Sequence, residues 1–369
     1  MMSSWRECKL GDLGTLQRGR SRHRPRYAFH LYGGEYPFIQ TGEIREAKKY
    51  IDKYEQTYNE AGLAQSKLWK KGTLCITIAA NIAELAILKF DACFPDSVLG
   101  FIPDERIADV DFIFYTLTYF QKQLKHIGEG SVQDNINLGT FENITFPIPP
   151  LEEQKAIAEV LSSLDDKIDL LRHQNQTLED LAQTLFRQWF IEEAKEEWEE
   201  STVGDITILK SGKSRPKEES ESNNIPIYGG NGVLGFTHQH NVDGETIIIG
   251  RVGAYCGSLY IENRPIWVSD NALIAKPQSA IYSKYLFYIL KENELNSMAE
   301  GSSHPLLTQE PIKSIQIFLP PESKLEEFNE QVDLWYEKIN QNKKQIQTLE
   351  NLRDTLLPKL LSGEVRVEI

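Results

Sequence analysis

Five arginines fall within nine residues at Arg18-Gly-Arg-Ser-Arg-His-Arg-Pro-Arg26, and a second basic run, Lys213-Ser-Arg-Pro-Lys217, lies further along the chain. Such residues do one kind of chemistry well: they neutralise phosphate, and arginine can pair bidentately with a guanine edge. Each run follows a Gly-Asp-x-x-x-x-x-x-Gly stretch, Gly11 to Gly19 and Gly204 to Gly212. Either loop alone could be a solvated turn. Two basic loops at equivalent places favour contact with phosphate or a base edge, and Arg18, Arg20, Arg22, Arg24, Lys213 and Arg215 are the residues expected to make it.

Other groups offer less. Gly230-Asn-Gly-Val-Leu-Gly235 matches the spacing of a dinucleotide-binding loop, but no helical pattern follows it, so it reads as a glycine-rich turn. His238 and His240 have no further ligand group near them in sequence, and no metal site is expected. Pro95-Asp96 could open a nuclease motif, but the next acid-x-Lys, Asp165-Asp-Lys167, falls on a helix. No phosphate loop, methyltransferase signature or triad is evident, and no enzyme is expected.

The elements that position the basic loops repeat. Lys167-Ile168 recurs as Lys338-Ile339 and Gln176-Thr-Leu-Glu179 as Gln347-Thr-Leu-Glu350, an offset of 171 that also relates Pro149-Pro150 to Pro320-Pro321. Near the start the offset is 193, as from Trp5 to Trp198 and Gly19 to Gly212. The first copy therefore holds about 22 extra residues between Gly19 and Gly130. Each copy reads as an α/β or α+β globular part followed by a long helix. The boundaries fall at 1–148, 149–197, 198–319 and 320–369. Apolar runs 74–80, 86–90, 246–249 and 258–261 read as buried strands, and 111–127 and 283–298 have helical spacing.

The helices carry a coiled-coil seam. Ile157, Leu161, Leu164, Ile168, Leu171, Leu178, Ala182, Leu185 and Trp189 step by four and three, with Asn175 in the series. The second seam runs from Phe328 to Leu360 through Asn342. If Asn175 faces Asn342, the pair forms an intramolecular antiparallel coil in which residue i meets 517 − i and Leu164 against Arg353 is the weak layer. About 36 residues at ~1.5 Å each make this a ruler of roughly 54 Å. Proline pairs should start both helices. The acidic run 191–200 reads as a solvated tail and linker, and Pro358 should kink or end the second helix.

Charge supports that division. The chain has 369 residues and a net charge of −14, but residues 1–150 are net zero and residues 201–321 net −2. The helical segments 151–200 and 322–369 carry −9 and −3. Two near-neutral globular parts can each present a local basic face. The four cysteines form no Cys-x-x-Cys pair and read as reduced residues of a cytoplasmic protein. No apolar run is long enough for a membrane span.

With these residues on view, the chain resembles the specificity subunits of type I restriction–modification systems over essentially its whole length. Pro147-Ile-Pro-Pro-Leu-Glu-Glu-Gln154 and Leu356-Leu-Pro-Lys-Leu-Leu-Ser-Gly-Glu-Val-Arg-Val367 carry the resemblance most specifically. Ile78-Ala-Ala-Asn-Ile82 with Phe94-Pro-Asp-Ser-Val98 looks like one target recognition domain. Tyr228-Gly-Gly-Asn-Gly232, Gly250-Arg-Val-Gly-Ala-Tyr-Cys-Gly257 and Val268-Ser-Asp-Asn-Ala272 look like another. One departure is Ala83, where the pattern has glycine.

The resemblance implies that each globular part reads one half of a bipartite, asymmetric site on double-stranded DNA while the helices set the gap. Two modification (methyltransferase) subunits, which carry S-adenosylmethionine, would assemble on the chain. Restriction subunits, with ATP and magnesium, would join where present. The chain itself would bind no cofactor, cut nothing and span no membrane. Gln40, Asn81, Asn231, Arg251 and Asn271 fall in the matching motifs as base-reading or turn-stabilising polar residues. Ser131, Gln133 and Ser302 follow the repeated Gly-Ser element and share that expectation. The rival readings are a structural coiled-coil interaction protein, a methylase with fused specificity domains, and a stand-alone DNA-binding regulator.

Overall fold

Short, continuously apolar strands build the same antiparallel sheet twice. In the computed structural model, which describes residues 5–23, 25, 28–79, 82–129, 136–195, 197–217, 224–301 and 305–368, the chain divides into two compact units. One comprises residues 1–170 with 345–369, the other residues 171–344.

In the first unit, strands Gly14–Arg18, Val98–Pro103, Leu74–Thr77 and Leu85–Leu88 neighbour one another in that order, all antiparallel. In the second, Thr207–Ser211, Ala272–Pro277, Glu245–Gly250 and Leu259–Asn263 take the same order and sense. A smaller sheet in each unit contains a short parallel pair, Phe38 beside Cys93 and Ile227-Tyr228 beside Trp267-Val268.

The extra residues of the first copy can now be placed. Strands Tyr32–Phe38 and Ile225–Gly229 begin 193 positions apart, whereas Leu74–Thr77 and Glu245–Gly250 begin 171 apart. Between them the first unit alone has helices Thr41–Glu46 and Glu60–Gln65 and the short strand Tyr50–Ile51, which pairs parallel to Leu85–Leu88.

The long helices begin after their proline pairs, at Leu151 and Glu322. Gln154 anchors the first: its Nε2 donates to the carbonyls of Ile107 and Pro149, both at 2.9 Å, and its Oε1 accepts from the Asp109 amide at 3.0 Å. A fully buried glutamine is tolerable only with such partners. In the first unit Ile157, Ala158 and Leu161 share a core with Leu360 and Leu361; in the second, Ala182, Phe186 and Phe190 share one with Leu325, Phe328 and Val332. The helices therefore run antiparallel within each unit. Phe186 and Phe190 lie off the seam read from sequence because they fill the globular core instead.

Two local expectations are corrected. The first helix passes into a π-helical turn, Gln188–Glu192, and the acidic run is not all linker: Trp198 is buried and Glu199–Thr202 pairs with Gln316–Leu319. The second helix does not end at Pro358 but continues to Leu361, because a proline so near the end forfeits little of the ladder; Gly363, at φ +73°, then closes it.

Candidate nucleic-acid interface

Repeated glycines aim the basic loops. Gly19 follows the strand Gly14–Arg18, its amide donates to the Val98 carbonyl at 2.7 Å, and a β-carbon there would lie 2.2 Å from the Pro95 carbonyl oxygen. Gly212 repeats this after Thr207–Ser211: its amide donates to Ala272, and a β-carbon would lie 2.0 Å from the Ser269 oxygen. No other residue fits so close to a neighbouring backbone. The next residues then pair alike, Arg20 N–H to the Phe94 carbonyl at 3.1 Å and Lys213 N–H to that of Val268 at 3.0 Å.

Beyond the glycine the first loop is clasped at its backbone. The Ser66 hydroxyl donates to the Arg20 carbonyl at 2.7 Å, and the Gln65 Oε1 accepts from the amides of Arg22 and His23 at 2.7 and 3.0 Å. Arg18 donates from Nε to the Asp96 carbonyl. Arg22 is exposed, whereas Arg20 is half-buried and its Nε lacks a hydrogen-bond partner. Such a group is costly unless a ligand supplies an acceptor. Gln40 donates from Nε2 to Gln56 Oε1 at 3.1 Å, and its backbone amide donates to the Glu43 carboxylate at the start of helix Thr41–Glu46. Arg24, Asn81, Ser131, Gln133 and Ser302 lie outside the described residues.

The second unit gathers more of the candidates. Gly230 and Asn231 form the two-residue turn of a hairpin in which Gly229 pairs with Gly232, at φ +81°. The Arg251 amide donates to the Asn271 carbonyl at 3.1 Å, beside the Gly212 amide bonded to Ala272. A β-carbon on Gly250 would lie 2.3 Å from the Tyr255 oxygen and 2.9 Å from the Gly230 oxygen, so the hairpin turn sits against Arg251 and Tyr255. Lys213, Asn231, Arg251 and Asn271 thus converge at one end of the sheets, with Arg215 exposed two residues beyond Lys213.

Contacts not foreseen from sequence fix Arg251. Its Nη1 donates to the Ser211 hydroxyl at 3.2 Å, which also accepts from Gln309 Nε2 at 3.4 Å. Its carbonyl accepts from the Leu307 amide and from the Cys256 thiol, whose pKa burial raises. Its Nε is buried without a partner, as in Arg20. Nothing in the local sequence marked Ser211 or Gln309. At Ala83, where glycine is the pattern, the backbone is left-handed with φ +59°, held by an amide bond to Thr77 and a Gln121 side chain on its carbonyl.

On the helices, Asn342 is fully buried and its Nδ2 donates to Asn175 Oδ1 at 2.8 Å and to Gln174 Oε1 at 2.9 Å. Arg353 bonds Asp165 at 2.9 Å, which turns an awkward layer beside Leu164 into an ion pair. Among the described residues no group of three or more His, Cys, Asp or Glu could hold a metal ion, and no helix is long and apolar enough to cross a membrane.

Comparison with known proteins agrees with this doubled plan. A family model described as the type I restriction modification DNA specificity domain matches residues 2–180 and again 195–352. The MjaIX specificity subunit of Methanocaldococcus jannaschii is 28% identical over 419 aligned residues, covering 99% of this chain and 94% of the relative. The EcoprrI specificity subunit of Escherichia coli is 22% identical, covering 84% and 82%. The crystal structure of the type I restriction–modification S subunit from M. genitalium superposes with a TM-score of 0.66 at 21% identity, covering 99% of this chain and 96% of that one.

The chain belongs to the type I restriction–modification DNA specificity family. It is a specificity subunit with two recognition domains joined through long helices, the non-catalytic member of its system.

Proposed function

We propose that each unit reads one half of a bipartite, asymmetric duplex DNA site from the sheet end that bears its basic loop. Arg18, Arg20 and Arg22 serve one half-site; Lys213, Arg215, Asn231, Arg251 and Asn271 serve the other. The observation carrying this reading is the repeated glycine clamp at Gly19 and Gly212, which aims a basic loop identically in two diverged units. Arg24, Gln40, Asn81, Ser131, Gln133 and Ser302 are proposed to complete these faces.

The long helices set the gap between half-sites and receive two modification subunits, which supply S-adenosylmethionine and the methylating site. Leu181 and Leu352, equivalent in the repeat, are exposed on them at 47% and 45% and suit two like docking contacts. Restriction subunits, using ATP and magnesium, would join the same assembly inside the cell.

Sequencing of methylated adenines in cells with and without this gene tests the reading. Methylation at one gapped motif should vanish on deletion. Persistence of that motif, with no second specificity gene present, refutes it.

A further inference from the structure

The two units differ at one sheet edge. In the first, Leu85–Leu88 is fully buried because Tyr50–Ile51 pairs along its outer side, the Ile87 amide donating to Lys49 at 2.8 Å and the Lys89 amide to Ile51 at 3.1 Å. In the second, the equivalent strand Leu259–Asn263 is the edge strand, and its residues are only half-buried or exposed. The Gly250 amide bonds inward to Ser258, so by alternation Leu259, Ile261 and Asn263 turn their backbone groups outward.

A cleft of about 980 Å³ lies along that edge, walled by helix Ser283–Glu292 and by residues 333–344 of the second long helix. Leu259, Ile261 and the edge of Phe287 give it an apolar floor.

The first unit shows what such a cleft accepts. There Lys49 reaches Asp111 at 2.9 Å and Ser162 at 2.6 Å, Tyr50 bonds Asp111, and Ile51 is buried in the core. In the second unit the cation is already present: Lys284 pairs with Glu245 and with Asp333 at 3.3 Å, beneath the Tyr336 ring. Only the strand is missing, with its aromatic and aliphatic side chains. Glu179, Glu262 and Glu337 also line the walls, which disfavours DNA as the occupant.

We propose that the outer edge of Leu259–Asn263 accepts an extended, apolar segment of a protein partner, which adds as a parallel strand where the first unit uses its own Tyr50–Ile51. Main-chain bonds supply the affinity, and the floor of Leu259, Ile261 and Phe287 selects an aromatic-aliphatic pair.

The probe is a peptide of residues 47–54 with Lys49→Ala, removing the ammonium that would arrive beside Lys284. With the full chain, millimolar peptide should slow amide exchange across residues 259–263 at least tenfold. The same peptide with Ile51→Pro should not. Asn263→Pro in the chain removes an outward amide and should abolish the effect at unchanged melting temperature. If that variant fails to fold, a photo-reactive group in place of Tyr50 should cross-link to residues 259–263 or 287–290. Absence of protection overturns the proposal, as does equal protection by the proline peptide, cross-linking elsewhere, displacement by duplex DNA, or protection arising from self-association of the chain.

Discussion

Asn342 donates its side-chain amide to Asn175 at 2.8 Å from a site with no solvent exposure, and its own Oδ1 has no partner there. A polar pair in an apolar seam costs stability but penalises misaligned pairings, because any slip buries an unpaired amide. Asn175→Leu alone should cost about 0.5–1.5 kcal/mol, because Asn342 loses one of its two acceptors and keeps only Gln174. Replacing both by leucine should raise the urea midpoint above that of either single variant. The gap between methylated half-sites should then become heterogeneous. A double variant less stable than both singles would contradict this account.

The glycine clamps give a sharper separation of the two faces. A β-carbon at Gly19 or Gly212 meets a carbonyl oxygen at 2.2 or 2.0 Å, and backbone cannot move aside as a side chain can. Gly19→Ala and Gly212→Ala should each cost roughly 1–3 kcal/mol, typical of forced overpacking. Gly19→Ala should weaken discrimination at one half-site only and Gly212→Ala at the other, read from the methylated motif. Identical motif changes from both variants would argue against separate reading.

These glycines also mark the limit of what the sequence could say. Their repetition was legible, but the reason for it lies in the 94–98 and 268–272 turns, far away in the chain. The helices were legible because a period of 3.5 extends over many turns and proline fixes the starts. The extra strand Tyr50–Ile51 was not, since two residues carry no period. Arg18, Arg20 and Arg22 look alike in sequence, yet only tertiary contacts from Gln65 and Ser66 make Arg20 half-buried and leave Arg22 exposed. Gln309 joins Ser211 across 98 residues with no local signal.

Arg251 and Lys213 should fail differently. Arg251 is held by Ser211 with one buried nitrogen lacking a partner, the posture of a side chain completed by a base or phosphate. Arg251→Ala should lower affinity for the cognate site by about 1–3 kcal/mol and relax one base position if it reads an edge. Lys213, exposed on its loop, should act as a phosphate contact: Lys213→Ala weakens all duplexes similarly and reduces the salt slope by about 1. Titrations of the assembled methylase against cognate and scrambled duplexes at several salt concentrations distinguish the two.

Asp109 offers a test by pH. Its carboxylate caps helix Val110–Tyr119 by accepting from the Phe112 amide at 2.9 Å, yet burial, with Asp111 adding repulsion, raises its pKa above the ordinary carboxylate value. A raised folded pKa means the ionised form is penalised: stability falls as pH climbs from the unfolded toward the folded pKa, and the penalty persists above it. Asp109→Asn keeps the cap without the charge, so it should stabilise at pH 7, with the difference shrinking to zero below about pH 4. Asp109→Ala loses the cap and should cost about 1 kcal/mol. A difference between asparagine and wild type that grows on acidification would reverse the assignment.

Leu181 and Leu352 test where the modification subunits sit. Both are exposed large apolar residues at equivalent places on the two long helices, and folding of this chain gains little from either. Leu181→Glu and Leu352→Glu should leave the melting temperature within a few degrees of wild type, as surface changes usually do. Each should weaken capture of one modification subunit, so that the single variants yield complexes with one subunit and the double variant yields none. Native mass spectrometry counts the subunits directly. Full two-subunit assembly by the double variant would move the docking site to another face of the helices.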